Sequence, residues 1–383
     1  MDQDKVSVLL AVPADQVEAP ATHETMQSIA SQSYPASLME TLQVQFIAET
    51  PGGMTAAINA ARDQAKGEFL VHTTPGVTWD PSKIERQVLR LREGGDDAGV
   101  GSAHRTSVRT EGGRVKQADF DLIHRVGLRV ATLITPPWKP GALLIRSDVM
   151  HGLGAYRHID QQVWEHDIRL AERGFCVELL EEDLAVWHVD VDPTANLMRD
   201  LFPSSVRESF LKRHLDQTDP NTLIADGNTE LSEHRALLLA ALHLFNDDLD
   251  PSHVICQGFG RESIAGNYWH GIIHRREPDF DNARGWFGRA EQWEGLLQIR
   301  DGVQELLQRV LLMPEYGHAR DTAFALKRHL DAEGIWNAGH FLDMCTAFGE
   351  REEKEEMEER LLREIQEAEM IAALDWTYRC AAG

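Results

Sequence analysis

The sequence is poor in cysteine, and its four cysteines form no pattern. They are widely spaced, and no two of them make a Cys-x-x-Cys pair: Cys176, Cys256, Cys345 and Cys380. This spacing argues against a disulfide framework and against a cysteine-ligated zinc, and it indicates reduced thiols in a cytoplasm. We therefore expect a cytoplasmic protein.

Long apolar runs and basic residues are also lacking. The apolar run at residues 6–12 is too short and wrongly flanked for a signal peptide, and no stretch reaches the length of a membrane span. Only 38 Lys and Arg residues stand against 62 Asp and Glu, for a formal net charge of −24. Such a chain repels nucleic-acid phosphates and anionic membrane surfaces. We expect no nucleic-acid partner and no membrane span.

The patterns that are present predict two domains in the 383 residues. In the first half, apolar strand-like runs alternate with helical stretches over short connections, which predicts a right-handed parallel α/β unit. From residue 197 onward the pattern is helical. We place an α/β domain at residues 1–195 and an all-α domain at residues 196–383.

Residues 67–81, GEFLVHTTPGVTWDP, predict a central strand of the α/β domain. The apolar run at 69–72 leads into a turn at Thr74, Pro75 and Gly76, and Asp80 and Pro81 open the next helix. A strand that ends in a loop before a helix is where open α/β sheets hold their ligands. We therefore expect a ligand at this turn.

Several motifs around this strand resemble family 2 glycosyltransferases, which have the GT-A fold. They are a Q-x-Y-P sequence at 32–35, an A-x-G-E strand start at 65–68, and W-D-P at 79–81. The resemblance covers residues 6–189 and implies a mostly parallel, nucleotide-diphospho-sugar transferase-like sheet. It also implies a nucleotide sugar and a carbohydrate acceptor as ligands. The positions it implies for nucleotide-sugar binding are Pro13, Glu49, Asn59, Arg62, Thr74, Gly76 and Trp138.

The chain departs from this family where the family does its chemistry. The family holds a divalent metal with Asp-x-Asp, but this chain has Thr74 and Gly76, whose side chains carry no charge. A divalent metal is therefore doubtful here. The family's Glu-Asp pair, with the general base, falls on Gln162 and Val163, and a valine cannot accept a proton.

Three nearby carboxylates, Asp160, Glu165 and Asp167, are candidate replacements for the base. Glu165 and Asp167 lie about 200° apart around a helix, so they cannot both face one site. The simpler interpretation is that they are solvent-facing helix charges. Similarly, the arginines at 105, 109 and 114 either bind a diphosphate without a metal or are solvated.

In the helical half, residues 266–291 resemble a single tetratricopeptide-like hairpin whose second helix Asp281 caps. His270, His274 and Glu277 fall on one face of its first helix. They either bind a metal or belong to a helix-packing surface, because the sequence identifies no further ligand.

These features leave three functional hypotheses open. The first is an active, metal-independent glycosyltransferase, with arginine or helix-end amides in place of the metal. The second is a glycosyltransferase-like protein that no longer transfers sugars and serves as a scaffold in a carbohydrate pathway, with a protein partner at the helical domain. The third is a metal site at His270 and His274. The missing motifs favour a glycosyltransferase-like protein with atypical or lost activity.

Overall fold

The computed structural model describes residues 2–95, 97–108, 114–118, 120–159, 161–189, 200–224, 226 and 232–383. The chain divides into two compact units, Met1–Ala195 and Asn196–Gly383. The base candidate Asp160 and the arginine at 109 lie outside the described residues, as does the side chain at 114.

One mixed sheet forms the centre of the first unit. In the described part of the chain its strands are β1 (Asp2–Pro13), β2 (Met39–Phe46), β3 (Gly67–Thr73), β4 (Val77–Trp79), β5 (Gly99–Val108), β6 (Arg114–Ala118), β7 (Leu143–Arg146) and β8 (Val177–Val189). Their order is β2-β1-β3-β7-β5-β8-β4, with β6 paired to β5. β1, β2, β3, β5 and β8 share one direction, whereas β4, β6 and β7 run against their neighbours. The predicted mostly parallel α/β fold is confirmed.

Helices flank both faces of this sheet: α1 (Pro20–Ala30), α2 (Gly53–Gln64), α3 (Lys83–Glu93), α4 (Asp121–Thr132), α5 (Ser147–Leu153) and α6 (Gln162–Glu172). Successive residues of β3 enter different cores. Phe69 and Val71 pack with Ile84 of α3, while Leu70 packs with Ile58 of α2. A strand buried on both faces reads as a continuous apolar run, which explains the sequence of β3.

The carboxyl ends of β1 and β3 meet at one edge of the sheet, which we call the carboxyl edge. Thr74, Pro75 and Gly76 form the 74–76 turn there, and the Gly76 φ of +88° is in the left-handed region that favours glycine. The Gly76 N–H donates to Thr25 Oγ1 of α1 at 3.1 Å, and its carbonyl accepts from the His188 N–H at 2.8 Å. The turn is therefore fixed to a helix and to β8.

The second unit is all-α in its described residues, as predicted. Its helices are α7 (Ser209–Leu215), α8 (Glu233–Phe245), α9 (Leu249–Gly258), α10 (Ile264–Arg276), α11 (Phe280–Phe287), α12 (Gly295–Leu311), α13 (Ala319–Glu333), α14 (Ala338–Gly349) and α15 (Glu356–Ala382). Short 3-10 turns occur at Ala14–Gln16, Ala36–Leu38, Pro220–Thr222 and Pro314–Tyr316. Among the described residues of the whole chain, no helix is both long and apolar enough to cross a bilayer.

The predicted helical hairpin corresponds to α10 and α11. Its cap was wrongly assigned, because the side chain of Asp279, not Asp281, accepts from the Asn282 N–H at the start of α11. The chain turns two residues earlier than the sequence suggested. α10 is also held by α15: the Arg275 guanidinium donates to Glu369, and both side chains are fully buried.

Candidate functional site

The residues expected to bind a nucleotide sugar are spread over the carboxyl edge and α2. Pro13 ends β1 and is partly buried, and Glu49 is exposed just beyond β2. Thr74 and Gly76 form the 74–76 turn, so all four positions lie at the edge where open α/β sheets bind ligands. His270 and His274 lie elsewhere, on α10 of the helical unit.

Asn59 and Arg62 of α2 face the inside of the domain. The Asn59 amide donates to the Tyr156 carbonyl at 3.0 Å and accepts from the Tyr156 N–H at 2.9 Å. These two hydrogen bonds hold the main chain at Tyr156, in the segment before α6, against α2. Arg62 is mostly buried and forms an ion pair with Asp63 at 2.7 Å.

Trp138 lies in the loop before β7 and is buried, with its ring against Gly101. A Cβ added at Gly101 would meet Trp138 Nε1 at 1.9 Å, so this position must be glycine for the ring to fit. Trp138 therefore packs in the core on the α2 face of the sheet. Its ring is not available for stacking on a ligand at the surface.

A small cavity of about 30 Å³ lies beneath this part of the edge. Its polar walls are His72 of β3, Trp138, Lys139, Tyr156, and His166 and Asp167 of α6. A space of this size holds one or two waters and is too small for a sugar ring.

Asp167 is buried in the cavity wall, which corrects the expectation of a solvent-facing charge. Its Oδ2 has no hydrogen-bond partner, and burial raises the pKa of Asp167 well above the usual 3.8. Val163, at the position implied for the base, lines the same cavity one helical turn earlier. Burial therefore disfavours the charged form of the carboxyl group that lies one helical turn after the implied base position.

Glu165 is also buried, so the expectation that it faces solvent was wrong. Its Oε1 lies 2.9 Å from Arg157 Nη1 and 2.9 Å from Arg169 Nε. Arg169 in turn donates to the carbonyls of Leu153 at 2.6 Å and Ala155 at 2.9 Å. Glu165 therefore holds the loop before α6 in place.

The cavity histidines were not identified from the sequence. Burial lowers the pKa of His72 to about 4, and burial with the charges of Arg169 and Arg62 lowers that of His166 to about 3. Both imidazoles are neutral at pH 7, and the His166 ring stacks on Tyr156 with centroids 4.5 Å apart. For His72, the sequence signal that could have identified it was a histidine near the end of the otherwise apolar strand β3.

A cation that sequence reasoning missed also lies at the carboxyl edge. Lys139 Nζ is 5.0 Å from the centroid of the Trp187 ring, and Trp187 pairs with Val77 next to the 74–76 turn. The pKa of the nearby His104 is lowered to about 4 by burial and by the Lys139 charge. Arg105 is about half exposed, and its Nε is 3.5 Å from Asp183 Oδ2.

No protein-family model and no curated protein matches the sequence. Among solved structures, the chain is similar to S. aureus TarS 1-349 in complex with UDP-GlcNAc, at 13% identity over 75% of this chain and 92% of that one, with a TM-score of 0.48. It is also similar to the mannosyltransferase PcManGT from Pyrobaculum calidifontis in complex with GDP-Man and Mn2+, at 14% identity, 85% and 87% coverage, and a TM-score of 0.39. Similarity at this level does not bear on ligand or reaction.

Proposed function

We propose that residues 1–195 form a glycosyltransferase-like domain that binds a nucleotide sugar at the carboxyl edge, and that its sugar-transfer activity is atypical or lost. The observation that carries this proposal is the burial of Asp167. It is the carboxyl group one turn from the implied base position, and it is enclosed in the wall of the cavity, where burial disfavours its charged form.

Sugar transfer to a hydroxyl requires a group that accepts the acceptor's proton. Asp167 is only 4% exposed, in the wall of a cavity of about 30 Å³, and Glu165 forms ion pairs with two arginines. Neither carboxylate is placed to take a proton from an acceptor at the surface of the domain. The loss of the base position to Val163 is therefore not compensated within α6.

The leaving diphosphate also requires positive charge. The 74–76 turn has no carboxylate that could hold a metal, and the Gly76 N–H already donates to Thr25. Lys139 is the residue that supports binding of the diphosphate without a metal, because its ammonium lies over the ring of Trp187, which pairs with Val77 next to the turn. A lysine acts on phosphate as a point charge.

Calorimetric titration of UDP, GDP and UDP-glucose, each with Mn²⁺ and with EDTA, tests this proposal. We expect binding that survives EDTA and that weakens in K139M. K66M is the matched control, because Lys66 is an exposed lysine next to the opposite, amino end of β3. Absence of binding to all three ligands, or binding that requires Mn²⁺, would contradict the proposal.

A donor screen in EDTA separates atypical from lost activity. Turnover of any donor would support an active, metal-independent transferase and would require a base outside α6. Turnover that persists in D167N and E165Q would exclude both residues as that base. Binding without turnover would leave a nucleotide-sugar-binding protein.

The alternative is a scaffold whose helical unit binds a protein partner. The observation that favours it is the exposure of large apolar side chains there, including Leu312 and Phe324. Exposed apolar groups of this kind occur at interaction surfaces. The alternative predicts that the protein has no affinity for nucleotides. It also predicts that the helical unit associates with a protein partner, as measured by sedimentation velocity, and that L312K and F324K weaken this association.

A further inference from the structure

We propose that His253, His270 and His274 form a binding site for a divalent transition-metal ion in the helical unit. His253 is on α9, and the other two are on α10. One potential ligand atom from each ring lies within 4.8 Å of the others. The sequence offered only two histidines and Glu277, and the fold supplies the third imidazole.

The spacing of the three rings suits a metal after a small closure. Ring centroids are 4.9 Å apart for His270 and His274, 4.6 Å for His253 and His270, and 5.2 Å for His253 and His274. Zinc-bound imidazole nitrogens lie about 2.0–2.1 Å from the metal, so tetrahedral ligands are about 3.3 Å from one another. The His270 and His274 rings are nearly parallel, at 18°, and Trp286 holds His270. Rotation of His253 and His274, with movements of roughly 1 Å, would therefore close the site.

His270 carries the strongest indication of a missing ligand. The residue is 2% exposed, and its Nε2 is buried without a hydrogen-bond partner. A buried polar atom without a partner is costly, and a metal ion would satisfy it. Trp286 stacks on the His270 ring with centroids 4.0 Å apart and fixes its orientation. His253 is only partly buried, which leaves a route from solvent.

His274 has the outer partner that metal-binding histidines usually have. Its Nδ1 lies 3.0 Å from Glu277 Oε2, so a proton on Nδ1 would leave Nε2 for the metal. Asn282 Nδ2 now lies 3.1 Å from that Nε2. A metal would displace this amide or turn its oxygen toward the ion.

A second group of potential ligands in the same unit provides a contrast. Asp216, His243 and Asp248 also lie close together, but the Lys212 ammonium is 2.8 Å from Asp248 and 3.4 Å from Asp216. A cationic side chain already neutralises that group. In the described part of the chain, the ion pairs of the three-histidine group are with the carboxylates of Glu277 and Asp279. The cation near it, Arg289, lies over the Trp286 ring instead.

Imidazole ligands select the metal class. They suit Zn²⁺, Cu²⁺, Ni²⁺ and Co²⁺, whereas Mg²⁺ and Ca²⁺ prefer oxygen ligands. We therefore expect Zn²⁺ and Co²⁺ to bind and Mg²⁺ not to compete.

The test is calorimetric titration of the full, chelator-treated protein with Zn²⁺, together with the visible absorption of bound Co²⁺. We expect one site per chain. E277Q removes the outer partner of His274 and should lower the Zn²⁺ affinity by about 10–100-fold. H253A and H270A each remove a ligand and should lower the affinity by more than that. H340A is the matched control, because His340 stacks on His329 at 4.0 Å in a pair that belongs to no group of three potential ligands among the residues described.

Circular dichroism shows whether each variant folds. H253A is the decisive variant if H270A unfolds, because His253 is only partly buried. The proposal is overturned if wild-type protein binds no Zn²⁺, if folded H253A binds it as tightly as wild type, or if H340A loses as much affinity as H253A.

Discussion

Replacing Glu369 by Gln should strongly destabilise the helical unit. Glu369 accepts hydrogen bonds from the Arg275 guanidinium at 2.5 and 3.1 Å and from the Tyr268 hydroxyl at 2.5 Å. Both members of the ion pair are fully buried. The substitution keeps the shape of the side chain but leaves the Arg275 charge buried without a counter-charge. Removal of one partner from a buried pair costs about 3–5 kcal/mol.

For a unit of this size, each kcal/mol lowers Tm by about 2–4 °C, so E369Q should lower it by about 6–20 °C. Thermal unfolding followed by circular dichroism at the helical band measures this change. D343N is the matched control, because Asp343 pairs with Arg284 at the same 2.5 Å distance but both side chains are more than half exposed. An exposed pair contributes about 0–1 kcal/mol.

Equal Tm shifts for E369Q and D343N would refute the argument that burial sets the strength of the pair. A double variant, R275M/E369L, provides a second test. Because replacing both members by apolar groups removes the uncompensated charge, we expect it to be more stable than E369Q. A double variant less stable than E369Q would show that the hydrogen bonds to Tyr268 outweigh the charge.

Two further predictions concern the α/β domain. N59A removes both hydrogen bonds to the Tyr156 main chain and should lower the free energy of unfolding by about 1–3 kcal/mol, seen as a lower urea midpoint; an unchanged midpoint would show that the segment before α6 is held by other contacts. Lys83 is fully buried, and burial lowers its pKa from 10.5 to about 7. The unfolded chain therefore binds more protons between those values, so stability should rise with pH across that window by at most about 1.4 kcal/mol per pH unit. K83M should remove the rise and K66M should keep it; the same slope in wild type and K83M would contradict this.

The fold could be predicted from the sequence wherever burial alone sets the pattern. β1 and β3 are buried on both faces, so they read as continuous apolar runs, and α8 reads as apolar on nearly every side because it is buried nearly all round. The direction of β7 could not be predicted in this way. β7 runs against both β3 and β5, and that arrangement depends on the connections between elements more than on local composition.

The site was harder to predict because its properties depend on neighbours distant in sequence. In the sequence, Glu165 and Asp167 are both acidic residues of one helix. In the structure, Glu165 pairs with Arg157 and Arg169, whereas Asp167 is buried at the cavity and desolvated. Similarly, the spacing of His270 and His274 was visible, whereas the proximity of His253 results from the packing of α9 on α10. Periodicity in the sequence assigns residues to one face of their own helix. It does not identify the residues of the neighbouring helix that pack against that face.

A chelator affects the tests of both proposals, the nucleotide site at the carboxyl edge and the metal site at the histidines. EDTA would remove a metal from the three-histidine group as well as any Mn²⁺ from the carboxyl edge, so a loss of nucleotide affinity in EDTA has two possible sources. H253A separates them, because His253 lies in the helical unit and takes no part in the carboxyl edge. If the UDP affinity of H253A is the same with and without EDTA, while that of wild type falls in EDTA, the metal that affects UDP binding is the one held by the histidines. If both proteins lose UDP affinity in EDTA, nucleotide binding requires a metal other than one held by the histidines, and the role proposed for Lys139 is wrong.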